Sequence, residues 1–124
     1  MARNTDYDLI LSHLIQSLDP NPSYLPLARK VEPTYSLTEP SVKFSTTEFP
    51  LIMYDIVTNP EITVDIVQKW KSLCERSSFL YVLVHDSLKE KSKAMCAKEN
   101  LINCLILTYR FKVKNTNRNV QIDF

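Results

Sequence analysis

The sequence predicts a single α/β domain with a mixed sheet, in the order α-β-β-β-α-β-α-β-β. Two almost entirely apolar runs, residues 51–57 and 79–84, have the length of strands that are covered on both faces. An amphipathic helical segment lies between them, so a right-handed crossover should make these two strands a parallel central pair. The chain of 124 residues is long enough to bury one core, which makes residues 1–124 one domain.

The N-terminal part is predicted to contain one helix and one hairpin. Apolar residues recur at helical spacing over residues 5–18, and the helix should end before Pro20. Residues 24–30 are expected to form a connector. Apolar and polar residues then alternate over 31–37 and 42–46, which predicts an antiparallel hairpin spanning 31–46.

The second half should contain two helices and a terminal hairpin. Asn59-Pro60-Glu61 combines a cap residue, a proline and an acid, and is typical of a helix start. Ser87-Leu88-Lys89-Glu90 has the form of a capping box and predicts a third helix to about Lys98. The alternating pattern of 107–124, interrupted by a polar turn at 115–118, predicts a C-terminal antiparallel hairpin.

Glycine is absent, and this excludes several kinds of site. The phosphate-binding P-loop, the dinucleotide fingerprint and the G-x-S-x-G nucleophile elbow all need backbone positions that only glycine fills. The overall charge is +1, which argues against a protein dedicated to coating nucleic acid or binding membranes. From residue 87 onward, however, eight Lys and Arg face three Asp and Glu, so the C-terminal third has a net charge of +5.

The three cysteines favour a reducing compartment, and we expect a cytoplasmic protein. Their number is odd, no C-x-x-C occurs, and Cys74 and Cys104 lie in apolar runs, which predicts buried free thiols. Neither histidine has a cysteine at zinc-binding spacing, so no cofactor is expected. No apolar run approaches the ~20 residues of a membrane span, and no membrane partner is expected.

The first six predicted elements resemble the core of the PD-(D/E)XK nuclease superfamily, which has the restriction-endonuclease-like fold. The resemblance covers about residues 5–85 and is closest in the helix and strand of 62–84. It implies that Asp55 of Asp55-Ile56-Val57 would ligate Mg²⁺ or Mn²⁺, with Glu48 or Glu32 as a second carboxylate. Val57 stands where the family has a lysine that activates water, and no Pro-Asp dipeptide occurs. If the fold is right, we therefore expect the nuclease activity to have been lost.

Two polar groups at the buried strands have alternative interpretations. Asp55 either pairs with a nearby Arg or Lys, as buried acids often do, or is a functional carboxylate with a perturbed pKa. His85-Asp86 follows the second buried strand, where α/β sheets place ligand crevices and where acid–base work is possible. The simpler interpretation, which we favour, is that Asp86 or Ser87 caps the next helix and His85 has no role.

Five cations could form one basic patch. Lys89 and Lys93 share a face of the third helix, and the terminal hairpin carries three cations on one face. The aromatic residues of that hairpin, Tyr109 and Phe111, should point to the opposite face and cannot act as stacking platforms there. If the helix and the hairpin lie together, the patch has phosphate-binding capacity. The candidate nucleic-acid-binding residues are Lys89, Lys93, Arg110, Lys112 and Lys114.

The leading functional prediction is a non-catalytic interaction module. The chain would be a subunit or accessory factor of an intracellular complex, with a protein partner or self-association expected and nucleic acid as a candidate ligand. An amphipathic terminal hairpin can add strands from another chain at a sheet edge. The alternative is a metal-dependent nuclease of the PD-(D/E)XK type, in which Asp55 is a ligand.

Overall fold

The computed structural model describes residues 5–18, 25–29, 40–45 and 51–123. A single turn of 3₁₀ helix, Asp86–Leu88, precedes the third helix. The helices and strands, in chain order, are α1 Thr5–Leu18, β1 Leu25–Arg29, β2 Val42–Ser45, β3 Ile52–Ile56, α2 Val64–Arg76, β4 Phe79–His85, α3 Lys89–Lys98, β5 Cys104–Lys114 and β6 Asn117–Asp123.

Six described strands form one mixed sheet in the order β1-β2-β3-β4-β5-β6. The strands β1, β2 and β3 pair antiparallel, β3 and β4 pair parallel, and β5 and β6 form the antiparallel terminal hairpin. The predicted α/β class, element order and parallel centre are therefore confirmed. The parallel region also includes β5, because α3 makes a second crossover between β4 and β5.

The first hairpin differs from the prediction in its first strand. Residues 25–29, expected to be a connector, form β1 and pair with β2. Pro26 is tolerated because β1 is an edge strand of the described sheet and its register shifts between Pro26 and Ala28. The predicted strand 31–37 lies outside the described residues.

Both later helices begin beyond their predicted caps. Thr63, not Asn59, is the cap of α2, and its Oγ1 accepts the Ile66 N–H at 3.4 Å. At α3 the capping box does not form, because the His85 ring accepts the Ser87 N–H at 3.2 Å and holds 86–88 as a 3₁₀ turn. The α-helix then starts at Lys89 without a side-chain cap.

One face of the sheet packs against α1. Tyr7, Ile10 and Leu14 of that helix are buried in one cluster with the sheet residues Ile56 and Leu83, among others. The cluster extends across the terminal hairpin as far as Val120 and Ile122, so α1 covers β6 as well as the central strands. None of the helices in the described residues is long and apolar enough to cross a membrane.

The other face packs against α2 and α3, which cover only the parallel strands. Trp70 and Leu73 of α2 and Cys96 of α3 are buried in one cluster with Leu80 and Val82 of β4, among others. The residues of β6 do not belong to this cluster. On this side of the sheet, therefore, no described helix covers the part of the hairpin that lies beyond Thr108.

A tight two-residue turn joins β5 to β6. Lys114 pairs with Asn117, and Asn115 and Thr116 between them have φ angles of 51° and 67°. Positive φ at both turn residues is typical of the type I′ hairpin turn, whose twist matches that of the strands. Asn tolerates this conformation, whereas the β-branched Thr116 adopts it at a cost.

Candidate functional site

A buried ion pair joins the centre of the sheet to α2. Asp55 of β3 is 0% exposed and Lys69 of α2 is 3% exposed, and Lys69 Nζ lies 2.7 Å from Asp55 Oδ1. Asp55 points to this face because it alternates with the core residues Tyr54 and Ile56 of the opposite face. The interpretation of Asp55 as a buried acid that pairs with a basic side chain is confirmed.

The described part of the chain places no metal-ligand group at Asp55. Among those residues no group of three His, Cys, Asp or Glu is placed to hold a metal ion. Glu32 and Glu48, the candidate second ligands, lie outside the described residues, and Val57 is fully buried in the apolar core. A divalent cation at Asp55 would also have to share the carboxylate with the Lys69 ammonium, a like charge. The resemblance to PD-(D/E)XK nucleases and the metal role of Asp55 stay predictions.

Two buried tyrosine hydroxyls lie on the α1 face. The Tyr7 hydroxyl donates to Ser41 Oγ at 2.6 Å, and Ser41 Oγ also accepts the Ile56 N–H at 3.0 Å. The Tyr109 hydroxyl donates to the Val57 carbonyl at 2.8 Å. Burial raises the pKa of both tyrosines to about 12, although for Tyr7 the hydrogen bond to Ser41 opposes the rise in pKa. As neutral phenols, Tyr7 joins α1 to the residue before β2, and Tyr109 joins β5 to the residue after β3.

The His85-Asp86 pair forms a local cap at the end of β4. His85 Nδ1 lies 3.1 Å from Asp86 Oδ1 and 2.8 Å from Ser87 Oγ, and accepts the Ser87 N–H. Both members of the pair are exposed by more than 40% at their side chains. The prediction that Asp86 or Ser87 caps the next helix and that His85 has no role is wrong, because His85 itself caps the 3₁₀ turn. The geometry therefore provides a structural role for the pair.

Four of the five predicted basic residues have described side chains, and these four lie on one side of the sheet. Lys89 and Lys93 are exposed on α3, which contacts β5. Arg110 and Lys112 are exposed on β5 and alternate with Tyr109 and the half-buried Phe111 of the α1 face. Lys114 closes the same strand, and its side chain lies outside the described part.

The cations of the hairpin face neutral neighbours across the strand pair. Arg110 lies opposite Gln121, Lys112 opposite Asn119 and Lys114 opposite Asn117. Opposite-charge partners at these positions would stabilise the hairpin, but here amides occupy all of them. On the α1 face, in contrast, Arg118 pairs with Asp6 and lies over the Phe111 ring at 3.9 Å from its centroid. Arg118 on the α1 face is therefore paired with an acid, whereas Arg110 and Lys112 on the opposite face are exposed and have no acid directly across from them.

A cluster of three thiols was not foreseen from the sequence. Cys74 of α2, Cys96 of α3 and Cys104 of β5 are free cysteines, and Cys96 Sγ lies 3.5 Å from Cys104 Sγ. Hydrogen bonds with Cys104 lower the pKa of the Cys96 thiol and of the Cys74 thiol, while the same bonds and burial raise the pKa of Cys104. Cys74 was correctly predicted to be buried, whereas Cys104 is only partly so. The cysteine spacing carried no signal, but Ser92 and Cys96 at i and i+4 are the two buried residues of an otherwise exposed helix.

Comparisons with protein families, with curated proteins and with solved structures each found no match to this chain. The functional interpretation therefore depends on the geometry just described. Three features carry it: the buried Asp55–Lys69 pair, the uncovered cations of the terminal hairpin and the thiol cluster.

Proposed function

We propose that the chain is a non-catalytic interaction module, a subunit or accessory factor of an intracellular complex, whose terminal hairpin is its partner surface. The observation that carries this proposal is the solvent-facing row of β5 cations opposite neutral amides. A folded chain gains little stability from like charges left without counter-charges. Such a row is favourable when an anionic partner supplies the missing charges, and the phosphates of nucleic acid are the anions it fits best.

The position of the hairpin at the edge of the sheet supports a second kind of contact, with protein. β6 is the last strand of the sheet in the described residues, so the outer edge of its backbone has no strand beside it there. Edge strands offer backbone donors and acceptors to a strand from another chain. A partner strand there would lie directly beside the cationic face.

The thiol cluster supports a location inside the cell. Cys104 lies beside both other free cysteines, and its sulfur is 3.5 Å from that of Cys96. Neighbouring thiols of this kind persist in the reducing cytoplasm and are oxidised to disulfides in secretory compartments. We therefore assign the proposed module to the cytoplasm.

The role of the β5 cations is tested by reversing their charge and measuring nucleic-acid binding. Labelled single- and double-stranded oligonucleotides are titrated with the protein at several salt concentrations, followed by fluorescence anisotropy. In Arg110→Glu/Lys112→Glu we expect binding to weaken for all sequences, and the slope of log K against log salt to fall by about 1 for each lost phosphate contact.

The matched control reverses two lysines on the other flank of α3. Lys91→Glu/Lys98→Glu makes the same change in net charge at two exposed positions that the helical repeat places away from Lys89 and Lys93. We expect this control to retain most of the binding. Equal loss in both variants would show that only net charge matters, and the hairpin would then not be the partner surface.

Two further results would contradict the proposed function. Cleavage of plasmid DNA with Mg²⁺ or Mn²⁺ that disappears in Asp55→Asn would favour the nuclease alternative. A protein that binds no oligonucleotide, and that light scattering shows to be monomeric at every concentration, would remove the support for nucleic acid and for self-association together.

A further inference from the structure

Cys96 and Cys104 combine proximity with access from solvent. Their sulfurs are 3.5 Å apart, and both residues line a groove of about 410 Å³ beside the start of β5, together with Lys93. Cys96 is only 6% exposed as a residue, but the groove reaches its side of α3. Cys74 lines a separate cavity of about 190 Å³ between α2 and the turn after α3.

The two thiols also differ in pKa, and this difference assigns them different roles in a reaction. The hydrogen bond between the two thiols lowers the pKa of Cys96, so Cys96 is the better source of thiolate. Cys104 keeps its proton, because the same bonds and its burial raise its pKa. A thiolate is the species that attacks peroxides, and a neighbouring thiol can then resolve the product.

We propose that Cys96 and Cys104 form a peroxide-reactive dithiol site. The Cys96 thiolate attacks one oxygen of hydrogen peroxide, the O–O bond breaks, and the products are Cys96 sulfenic acid and water once the leaving hydroxide takes up a proton. The Cys104 sulfur then attacks the sulfenic sulfur, the S–O bond breaks, and a second water leaves with the Cys104 proton. Two thiols are oxidised to one disulfide and one peroxide is reduced to two waters. To form the disulfide, the sulfurs must close from 3.5 Å to about 2.05 Å.

The site can be tested by mapping the disulfide in a tryptic digest, because trypsin places the three cysteines in separate peptides. Cleavage after Lys and Arg places Cys74 in the peptide 72–76, Cys96 in 94–98 and Cys104 in 99–110. The folded, reduced protein is treated with hydrogen peroxide, the remaining thiols are alkylated, and the unreduced digest is analysed by mass spectrometry. We expect peptide 94–98 joined to 99–110, peptide 72–76 alkylated, and reversal of the link by dithiothreitol.

Variants and an unfolded control make the assignment specific. Cys74→Ser should retain the link and Cys96→Ser should lose it, with circular dichroism checking that both variants fold. The same treatment in denaturant should give a mixture of all three pairings. The proposal is overturned if the native protein gives that same mixture, if 72–76 joins 99–110 instead, or if the wild-type thiols survive peroxide unlinked. These results are independent of whether the hairpin binds nucleic acid.

Discussion

Lysines on one side of the sheet lie in two opposite environments. Lys69, above the parallel strands, is 3% exposed and bound to Asp55, whereas Lys112, on the terminal hairpin, is exposed and faces the neutral Asn119. The difference follows from helix coverage, because α2 and α3 seal the parallel half and leave the hairpin half open. A charge under a helix must be neutralised within the fold, while a charge beyond the helices is free to meet a partner.

The largest expected effect is the removal of the buried lysine. Lys69→Ala leaves the Asp55 carboxylate buried without its cation, and breaking a buried pair in this way costs about 3–5 kcal/mol of the free energy of unfolding. The matched control, Lys112→Ala, makes the same substitution on the same side of the sheet and should stay within about 0.5 kcal/mol of wild type. Urea unfolding followed by circular dichroism measures both.

The ion pair can also be removed as a whole. The double substitution Asp55→Ala/Lys69→Met takes away both charges and should recover part of the stability that Lys69→Ala loses, since no unpaired charge remains. If Lys69→Ala and Lys112→Ala lose equal stability, the contrast between the two environments is wrong.

A smaller effect is expected on the α1 face, where hydroxyls rather than charges are buried. Tyr109→Phe leaves the buried Val57 carbonyl without its donor and should cost about 1–3 kcal/mol. Tyr81→Phe is the control, because Tyr81 is a half-buried neighbour that stacks on Tyr54 with ring centroids 4.8 Å apart. Its loss should be within about 0.5 kcal/mol in the same unfolding assay. Equal losses would show that the Tyr109 hydroxyl adds nothing to the free energy of unfolding beyond the packing of its ring.

The smallest effect is a loss of stability at alkaline pH, which the two buried tyrosines of the α1 face should cause. The pKa of Tyr7 and Tyr109 rises from 10 to about 12 on folding, so both favour the folded state as neutral phenols. Their contribution is complete below pH 10 and disappears as the pH rises from 10 to about 12, by about 1 kcal/mol per tyrosine near pH 11. Unfolding free energies measured across this range should fall less steeply in Tyr7→Phe and in Tyr109→Phe. Identical slopes in both variants and in wild type would contradict the assignment.

The sequence predicted the order of elements because periodicity reports burial directly. The apolar runs at 51–57 and 79–84 required cover on both faces, and the alternation in β5 and β6 separated Tyr109 and Phe111 from Arg110 and Lys112. Helix starts were less accurate, because each region offers more than one cap: Thr63 caps α2 four residues after Asn59, and the His85 ring caps the 3₁₀ turn before α3. Such competition is decided by tertiary packing and not by local sequence.

The candidate sites also differ in how far the sequence could predict them. Asp55 stood out in the sequence as an acid inside an apolar run, but its partner Lys69 lies 14 residues away on another element. The contact among the three cysteines depends on how α2, α3 and β5 pack together. No spacing rule could find it, because each cysteine comes from a different element.

The Asn115–Thr116 turn has a consequence for specificity. With only two residues between the paired Lys114 and Asn117, the chain has no slack at this point to shift one strand past the other. A slip of one position would reverse every side chain of β6, sending Val120 and Ile122 into solvent and Asn119 and Gln121 under α1. In a chain without glycine, this strained corner is what keeps the apolar and polar sides of the hairpin from being exchanged.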